Sequence, residues 1–430
     1  MSEEIVDDII RAGRAHADEV EVALLESESV SIELKQSHPA HAGESHGTGL
    51  IIRVIHEGKI GSSSTSTLTN WRNCLDSAIA SAHLAEPIPW RGLPGPVPIE
   101  GPSLSFDSSV RPDPDVALTY CKELLAGATE FPEAAVVGGG AGLSRGSVLL
   151  ANSAGIRYVE EHTSVSASLE AIADHSTGFE YDRSVSADID ACAIGRRAAE
   201  LAATSRNGLP IETGTYDLLL SPHAFASLCA PLLKQAVNGR SVLMGRSFLA
   251  DKLGTQIAPE HLMVVDDPFY PGGLGSTRFD AEGVPTRKNT IIDSGYLNTF
   301  TYDLKTGYRC GHESTGNASR GGLGGGVSIG MHNLVFTGET MKEPGEGRCV
   351  LVNEVIGAHT ANPLTGDFSV EIQNAFFMED GHIQEPIRKA MLAGNIFGML
   401  EGIVGMGAEP RRVGDTIVSS VRVHAMHLVG

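Results

Sequence analysis

Apolar and polar positions repeat with two different periods along this chain. Near the N-terminus Ile5, Val6, Ile9 and Ile10 fall on one face at helical spacing, with acidic residues between them. Val20, Val22 and Leu24, then Val30, Ile32 and Leu34, alternate with polar residues and predict two strands. His38, His41 and His46 sit in the polar stretch Ser37–Gly47, which reads as a loop. Leu50–Ile55 predicts another strand, turning through His56-Glu57-Gly58-Lys59 into Ile60–Ser63. Trp71, Leu75, Ala78, Ile79 and Ala82 return to the helical period. Pro87–Pro114, rich in Pro, Gly and Ser, predicts a long irregular connection, and a helix follows near Val116–Leu125. Val148–Ala151 and Val159–Ala171 predict strands joined through Asn152-Ser153-Ala154-Gly155. A helix from about Asp188 to Ser205 ends at Asn207-Gly208, residues suited to a C-cap.

The turn-rich segment Gly208–Gly214 divides the chain into an N-terminal mixed domain, 1–208, and a β-rich C-terminal domain, 209–430, of α+β class. Ser221 and Pro222 are a cap and a first helical position for a helix over the next turns. Val350-Leu351-Val352 opens a strand, and the chain turns through Gly357-Ala358-His359-Thr360 and Asn362-Pro363. Phe368, Val370 and Ile372 then alternate with polar neighbours, and Asp380-Gly381 marks a hairpin turn. A helix is expected to start near Pro386 and to contain Ala393-Gly394-Asn395. Gly324-Gly325-Gly326 belongs to a glycine-rich loop, and no internal repeat of solenoid length is present.

Composition narrows the function classes. A net charge of −21 argues against a nucleic-acid surface, which needs Lys and Arg to displace phosphate counterions. The 50 glycines, against about 7% in ordinary usage, fit many tight turns. Six widely spaced cysteines contain no C-x-x-C, so neither a zinc ribbon nor a redox pair is expected, and reduced thiols suit a cytoplasmic protein. The first residues lack a hydrophobic signal region, and no apolar run of about 18 residues could span a membrane.

Asn362-Pro363-x-Thr365-Gly366-Asp367-Phe368-Ser369, followed by Glu379-Asp380-Gly381 and Ala393-Gly394-Asn395-Ile396, resembles the TldD/PmbA family, also named modulator of DNA gyrase. Further blocks agree in order: Val264-Val265-Asp266-Asp267-Pro268, Gly273-Leu274-Gly275-Ser276, Phe279-Asp280-x-Glu282-Gly283-Val284-Pro285-Thr286, Ile292-Asp293-x-Gly295-Tyr296-Leu297 and Thr315-Gly316-Asn317-Ala318. The TldD branch is a zinc peptidase whose H-E-x-x-x-H places two histidines on one helix face, with a more C-terminal cysteine as a further ligand. The equivalent helix here, Pro222–Leu233, carries only His223, with no glutamate, and Arg411–Gly430 contains no cysteine.

The chain is therefore similar to the metal-free PmbA (TldE) branch, and Asn238-Gly239-Arg240-Ser241 and Gly245-Arg246-Ser247-Phe248 look like that branch too. The resemblance implies no catalytic or metal-binding residue here and no cofactor bound by this chain; zinc is expected in a TldD-type partner, in a heterodimer, with a homodimer as the alternative. It implies a dimer enclosing a channel that takes an extended peptide or unfolded protein. Extended peptides add to sheet edges through main-chain hydrogen bonds. His359, Asn362, Asp367 and Ser369 are the channel candidates, beside the plainer expectation that they build turn and strand.

Other motifs are weaker. Gly326-Val327-Ser328-Ile329-Gly330 matches G-x-S-x-G, with Asp367 and His382 following, but a serine hydrolase needs a strand, a sharp elbow and a helix, and here a strand-like segment follows. Gly138-Gly139-Gly140-Ala141-Gly142 lacks the third glycine of a dinucleotide fingerprint, since Leu143 stands there. His424 and His427, three apart in an alternating strand, are expected on opposite faces and so share no metal.

Overall fold

The computed structural model describes residues 2–342 and 345–430. Helix α1 (Ser2–Gly13) buries Val6 and Ile9 completely, as its apolar stripe requires. Strands β1 (Glu19–Lys35), β2 (His38–His56) and β3 (Lys59–Thr65) form an antiparallel meander. Its turns, Gln36-Ser37 and Glu57-Gly58, have positive φ at both central residues, the backbone a two-residue hairpin needs. Two expectations are corrected here. The two predicted N-terminal strands are one strand, β1, and the polar stretch around His38, His41 and His46 is strand, not loop. Main-chain pairing carries β1 through residues 26–29, where neither face is apolar, as at Ser29↔Ser45, and holds the polar start of β2 against β1, as at Glu33↔His41.

Helix α2 (Trp71–Leu84) packs over β2 and β3, and Gly61 permits the approach, since a Cβ there would lie 2.1 Å from the Ala78 carbonyl oxygen. Helix α3 (Pro114–Ala128) is capped by Asp113. Strands β4 (Ala135–Asn152), β5 (Arg157–Ala173) and β6 (Ser176–Ser184) complete an antiparallel sheet of order β3-β2-β1-β4-β5-β6. Helix α4 (Ala191–Thr204) crosses α3 closely. Along β1 the even-numbered Val20, Val22 and Leu24 pack with α1 and α2, and Val30, Ile32 and Leu34 pack with α3 and α4, so the helices cover one sheet face at its two ends. The odd-numbered Ala23 instead joins Ile51, Leu150 and Tyr158 against Phe279, from the second half of the chain. The connection 86–113 runs without regular structure and is pinned by side chains, for example Val97 N–H to Tyr158 Oη at 2.8 Å.

The second half contains β7 (Gly214–Leu220), α5 (Pro222–Ala236), α6 (Gly239–Leu243), β8 (Met263–Asp266), β9 (Asn289–Asp293), β10 (Tyr296–Leu297) and α7 (Leu304–Cys310). A short ribbon of β11 (Ala318–Arg320) and β12 (Val327–Ile329) follows, then β13 (Leu334–Thr337), β14 (Arg348–Ile356), β15 (Asp367–Glu379), β16 (His382–Pro386) and β17 (Ala390–Asn395). The chain continues through α8 (Ile396–Glu401), β18 (Ile403–Met406), β19 (Arg411–Val413), β20 (Thr416–Val418) and β21 (Val421–Val429). The architecture is α+β, with few helices in this β-rich half.

One sheet has the order β14-β7-β21-β17-β15, and β15 pairs back to β14, which closes a ring of strands with β16 and β18 as outliers. A closed ring leaves few strand edges free, so the open edges of this half are confined to short strands. The other sheet runs β10-β9-β8-β13-β20-β19. Around α5 the buried Phe225, Leu228, Cys229 and Leu233 fill one core; the Ser221 hydroxyl caps the helix by accepting from Ala224 N–H at 3.0 Å.

The helix expected from Pro386 is not there. Pro386 ends β16, and Ala393 and Gly394 pair with Ser369 and Phe368 in β17. Strand partners on both sides, β15 and β21, outweigh local helix signals. The helix begins at Ile396, capped by the Asn395 side chain. In β21 a bulge at Ala425, φ +57°, interrupts the alternation between His424 and His427, so the parity expectation fails there.

Candidate functional site

Several of the blocks that carry the sequence resemblance, those around Asp266, Ser276, Asp280 and Asn317, converge in space. Asp266 ends β8 with no exposed surface, and its carboxylate accepts from Asn317 Nδ2 at 2.6 Å and from the His332 backbone N–H at 2.6 Å. The His332 ring Nδ1 lies 3.0 Å from the same carboxylate. Asn317 Oδ1 accepts in turn from the Thr315 hydroxyl at 2.7 Å and from Asn289 Nδ2 at 3.1 Å. Asp280 accepts three backbone N–H groups, from Glu282, Val284 and Ala318, at 2.9–3.0 Å. These turns face the outer side of the first sheet across a cavity of about 330 Å³, lined by Glu160, His162, Ser276, Asp280, Arg320 and His332 among others.

Below this cavity four buried charges lock the two halves together. Arg53 of β2, 3% exposed, donates to Glu21 Oε2 of β1 at 2.8 Å and to Glu282. Arg320 of β11 donates to the other Glu21 oxygen, and Glu282 also accepts the Leu304 N–H at 2.7 Å. Burial works against the Arg53 charge, but Glu21 and Glu282 outweigh it and hold its pKa above the ordinary arginine value. Burial pushes Glu282 up, Arg53 opposing; burial and then the Glu282 charge push Asp280 up to about 7. The cavity thus offers polar and charged walls and a fixed carboxylate–imidazole pair. Among the described residues no hydroxyl or thiol is hydrogen-bonded to His332.

The four channel candidates lie elsewhere, on the turn before β15 and on β15 itself, and all four are exposed. Asn362 Oδ1 accepts from Leu364 N–H at 2.9 Å, and Asp367 accepts from the Thr365 hydroxyl at 2.7 Å and Asn395 Nδ2 at 2.8 Å. Both therefore hold the turn, whereas His359 and Ser369 present side chains to solvent; none of the four lines the cavity above. Ser328 sits on β12, exposed, with its hydroxyl 3.4 Å from the Ser319 carbonyl oxygen; strand rather than an elbow surrounds it. The residues missed in the sequence are Glu21, Arg53 and Arg320, and Glu282 stood there only as a letter of a motif. One signal was available: Arg53 interrupts an otherwise apolar strand, Leu50–Ile55, and a buried arginine demands carboxylates.

Helix α5, where a TldD-type chain would hold zinc, carries His223 in its first turn, with Nε2 3.1 Å from Glu180 Oε1 but without the alignment of a hydrogen bond. Its ring edge meets Tyr181, centroids 4.8 Å apart. Among the described residues no group of three or more His, Cys, Asp or Glu is gathered that could hold a metal ion. The residues present do not fit a zinc site, which needs three or four ligands.

Comparison with known proteins bears on the whole chain. Descriptions of the PmbA/TldA metallopeptidase match in order: domain 1 over residues 20–82, the central domain over 107–206 and the C-terminal domain over 213–430. An uncharacterized protein of Methanocaldococcus jannaschii is 31% identical over 420 residues, covering 95% of this chain and 96% of its own. Metalloprotease PmbA of Escherichia coli O157:H7 is 26% identical over 453 residues, covering 100% of this chain and 96% of its own. Among solved structures, TldE from Thermococcus kodakarensis superimposes with a TM-score of 0.91 at 27% identity, over 99% of this chain and 100% of that one. A candidate DNA gyrase modulator of Thermotoga maritima gives 0.89 at 25% identity over 100% of both. With all three domains matched in order and a relative 31% identical over 95% of its length, this chain belongs to the PmbA/TldD metallopeptidase family.

Proposed function

We propose that this chain is the non-catalytic, PmbA/TldE-type subunit of a zinc-dependent peptidase, holding peptides or unfolded segments while a TldD-type partner supplies the zinc. The observation that carries this is α5: a chain that matches the family from end to end has one histidine on that helix, already engaged with Glu180. Peptide would enter in extended form, and β16, an edge strand with exposed side chains, offers main-chain groups for it. The exposed His359 and Ser369, with Asn362 and Asp367 holding their turn, are proposed to line its path. A cytoplasmic setting belongs to the same proposal, and six free cysteines suit a reducing compartment; no helix is long and apolar enough to cross a membrane.

The test is zinc content and peptidase activity of the purified chain, alone and mixed with a TldD-type homologue that is inactive alone. Activity only in the mixture, with no zinc retained by this chain, is the expected result. Stoichiometric zinc and chelator-sensitive activity in the chain alone would overturn it. Activity in neither, with tight self-association, would favour a homodimeric regulator, the role suggested by the gyrase-modulator name of the Thermotoga protein.

A further inference from the structure

A second cavity, of about 190 Å³, lies where β6, the start of α5, β14 and β19 meet. That volume is below the range of about 300–1,000 Å³ usual for drug-sized ligands, and it suits a short alkyl chain with a polar head. Its walls include Phe179, Glu180, Tyr181, His223, Glu354 and Arg411.

The charges of this wall are not balanced alike. Glu180 is saturated: Arg411 Nη2 donates to it at 2.7 Å and Nη1 at 3.2 Å, the Tyr181 N–H donates at 2.9 Å, and His223 lies 3.1 Å away. Arg411 spends its remaining reach on the Tyr181 carbonyl at 3.2 Å. Arg197, the other cation lining the cavity, is bound to Glu200 at 2.8 Å and Asn353 Oδ1 at 3.0 Å. Glu354 on β14 is different. It is half-buried, and among the described residues its carboxyl has neither a hydrogen bond nor an ion pair. Burial pushes its pKa up; His223 opposes that, and Glu180 and Glu170 add to it. Two aromatic rings line the same cavity: Phe179 is 40% exposed, and its ring centroid lies 5.8 Å from that of Tyr181. A half-buried carboxylate without a partner is costly, and a cation between it and aromatic faces removes the cost. A metal ion is a poor occupant, since no metal-ligating group of three is assembled among the described residues.

We propose that this cavity binds a primary ammonium group, with Glu354 as its counter-ion and Phe179 and Tyr181 as its aromatic wall. Resting on the peptide-binding reading above, the source would be the α-ammonium of a peptide N-terminus or a lysine side chain. Ligand-observed NMR and thermal shift on the full chain test it, with n-butylammonium, free and N-acetylated triglycine, and N-acetyl-lysine amide as probes.

Binding of n-butylammonium by the wild type, weakened about tenfold or more in Glu354→Gln, is expected. Glu354→Gln should also melt no lower than wild type without ligand, since it removes an unpaired carboxylate. Preference for free over acetylated triglycine would identify the N-terminus as the source, and binding of N-acetyl-lysine amide the side chain. No binding of n-butylammonium, or equal binding by wild type and Glu354→Gln, would overturn the proposal. If n-butylammonium binds through Glu354 but none of the peptide probes does, the ammonium site stands and the peptide-binding reading fails.

Discussion

Replacing Arg53 by methionine keeps most of the side chain's volume and length but removes the charge between Glu21 and Glu282. All three groups are nearly inaccessible, 3% exposed for Arg53 and 0% for both glutamates, so water cannot screen what is left behind. Breaking one partner of a buried pair costs about 3–5 kcal/mol. Glu21 retains Arg320 and Glu282 retains the Leu304 N–H, which places the expectation near the lower end, about 3 kcal/mol. The assay is urea unfolding followed by far-ultraviolet circular dichroism and by tryptophan fluorescence. Trp90 is a useful reporter, since its ring meets Tyr308 edge-on at 5.3 Å across the junction of the two halves. Adding Glu282→Gln to Arg53→Met should recover part of the loss, a coupling of about 1–3 kcal/mol, because the second change removes a charge the first left unpaired. Arg348→Ala, whose exposed partner Glu379 lies 3.7 Å away, should lose nothing measurable. An Arg53→Met protein as stable as wild type, or losses in the two variants that simply add, would refute the reasoning.

Three further outcomes are expected. Burial opposes ionisation of Glu180, but His223 and Arg411 prevail and depress its pKa from 4.5 to about 2. The stabilisation is therefore complete above the unfolded value and is lost as pH falls from 4.5 toward 2, about 3 kcal/mol in all. In urea titrations across that interval Glu180→Gln should flatten the decline; parallel profiles for the two proteins would count against it. Gly195→Ala places a Cβ 1.9 Å from the Leu124 carbonyl oxygen where α3 crosses α4, and should lower stability by about 2 kcal/mol or more, read as a fall in Tm. Ser221→Ala removes the cap of α5 and the bond from its hydroxyl to the Asn353 carbonyl at 2.6 Å, and should cost about 1–2 kcal/mol by denaturant midpoint.

Where one face is apolar and the other wet, the sequence was readable. Helices α1 and α2 follow from their apolar stripes and α5 from its Ser221 cap and Pro222, and the turns at Glu57-Gly58 and Asp380-Gly381 from residues that tolerate positive φ. The reading failed where partners distant in sequence decide. The middle of β1, Glu26-Ser27-Glu28-Ser29, has no apolar alternation because it bridges two packed ends, yet β2 and β4 hold it as strand. Residues 390–395 carry helix-compatible types, but β15 and β21 on either side make them a strand. The site shows the same division. Asp280 and Glu282 stood out as motif letters, while their meaning depends on Arg53, more than two hundred positions earlier. Asn362 and Asp367 were visible as turn formers, and they do hold the turn.

The closure of the strand ring has a consequence for how the protein is made. Strand β7 sits between β14 and β21, so Gly214 pairs with Leu428 and Leu218 with Val350. During synthesis β7 emerges long before either neighbour; one edge waits about 130 residues for β14 and the other about two hundred for β21. Long-range pairing of this kind slows folding and exposes strand edges to other chains. The apolar run Leu218-Leu219-Leu220 is therefore the segment most in need of cover in the nascent chain. Loss of the nine residues of β21 would leave the other edge of β7 permanently unpaired, giving a product that aggregates although its N-terminal sheet is intact.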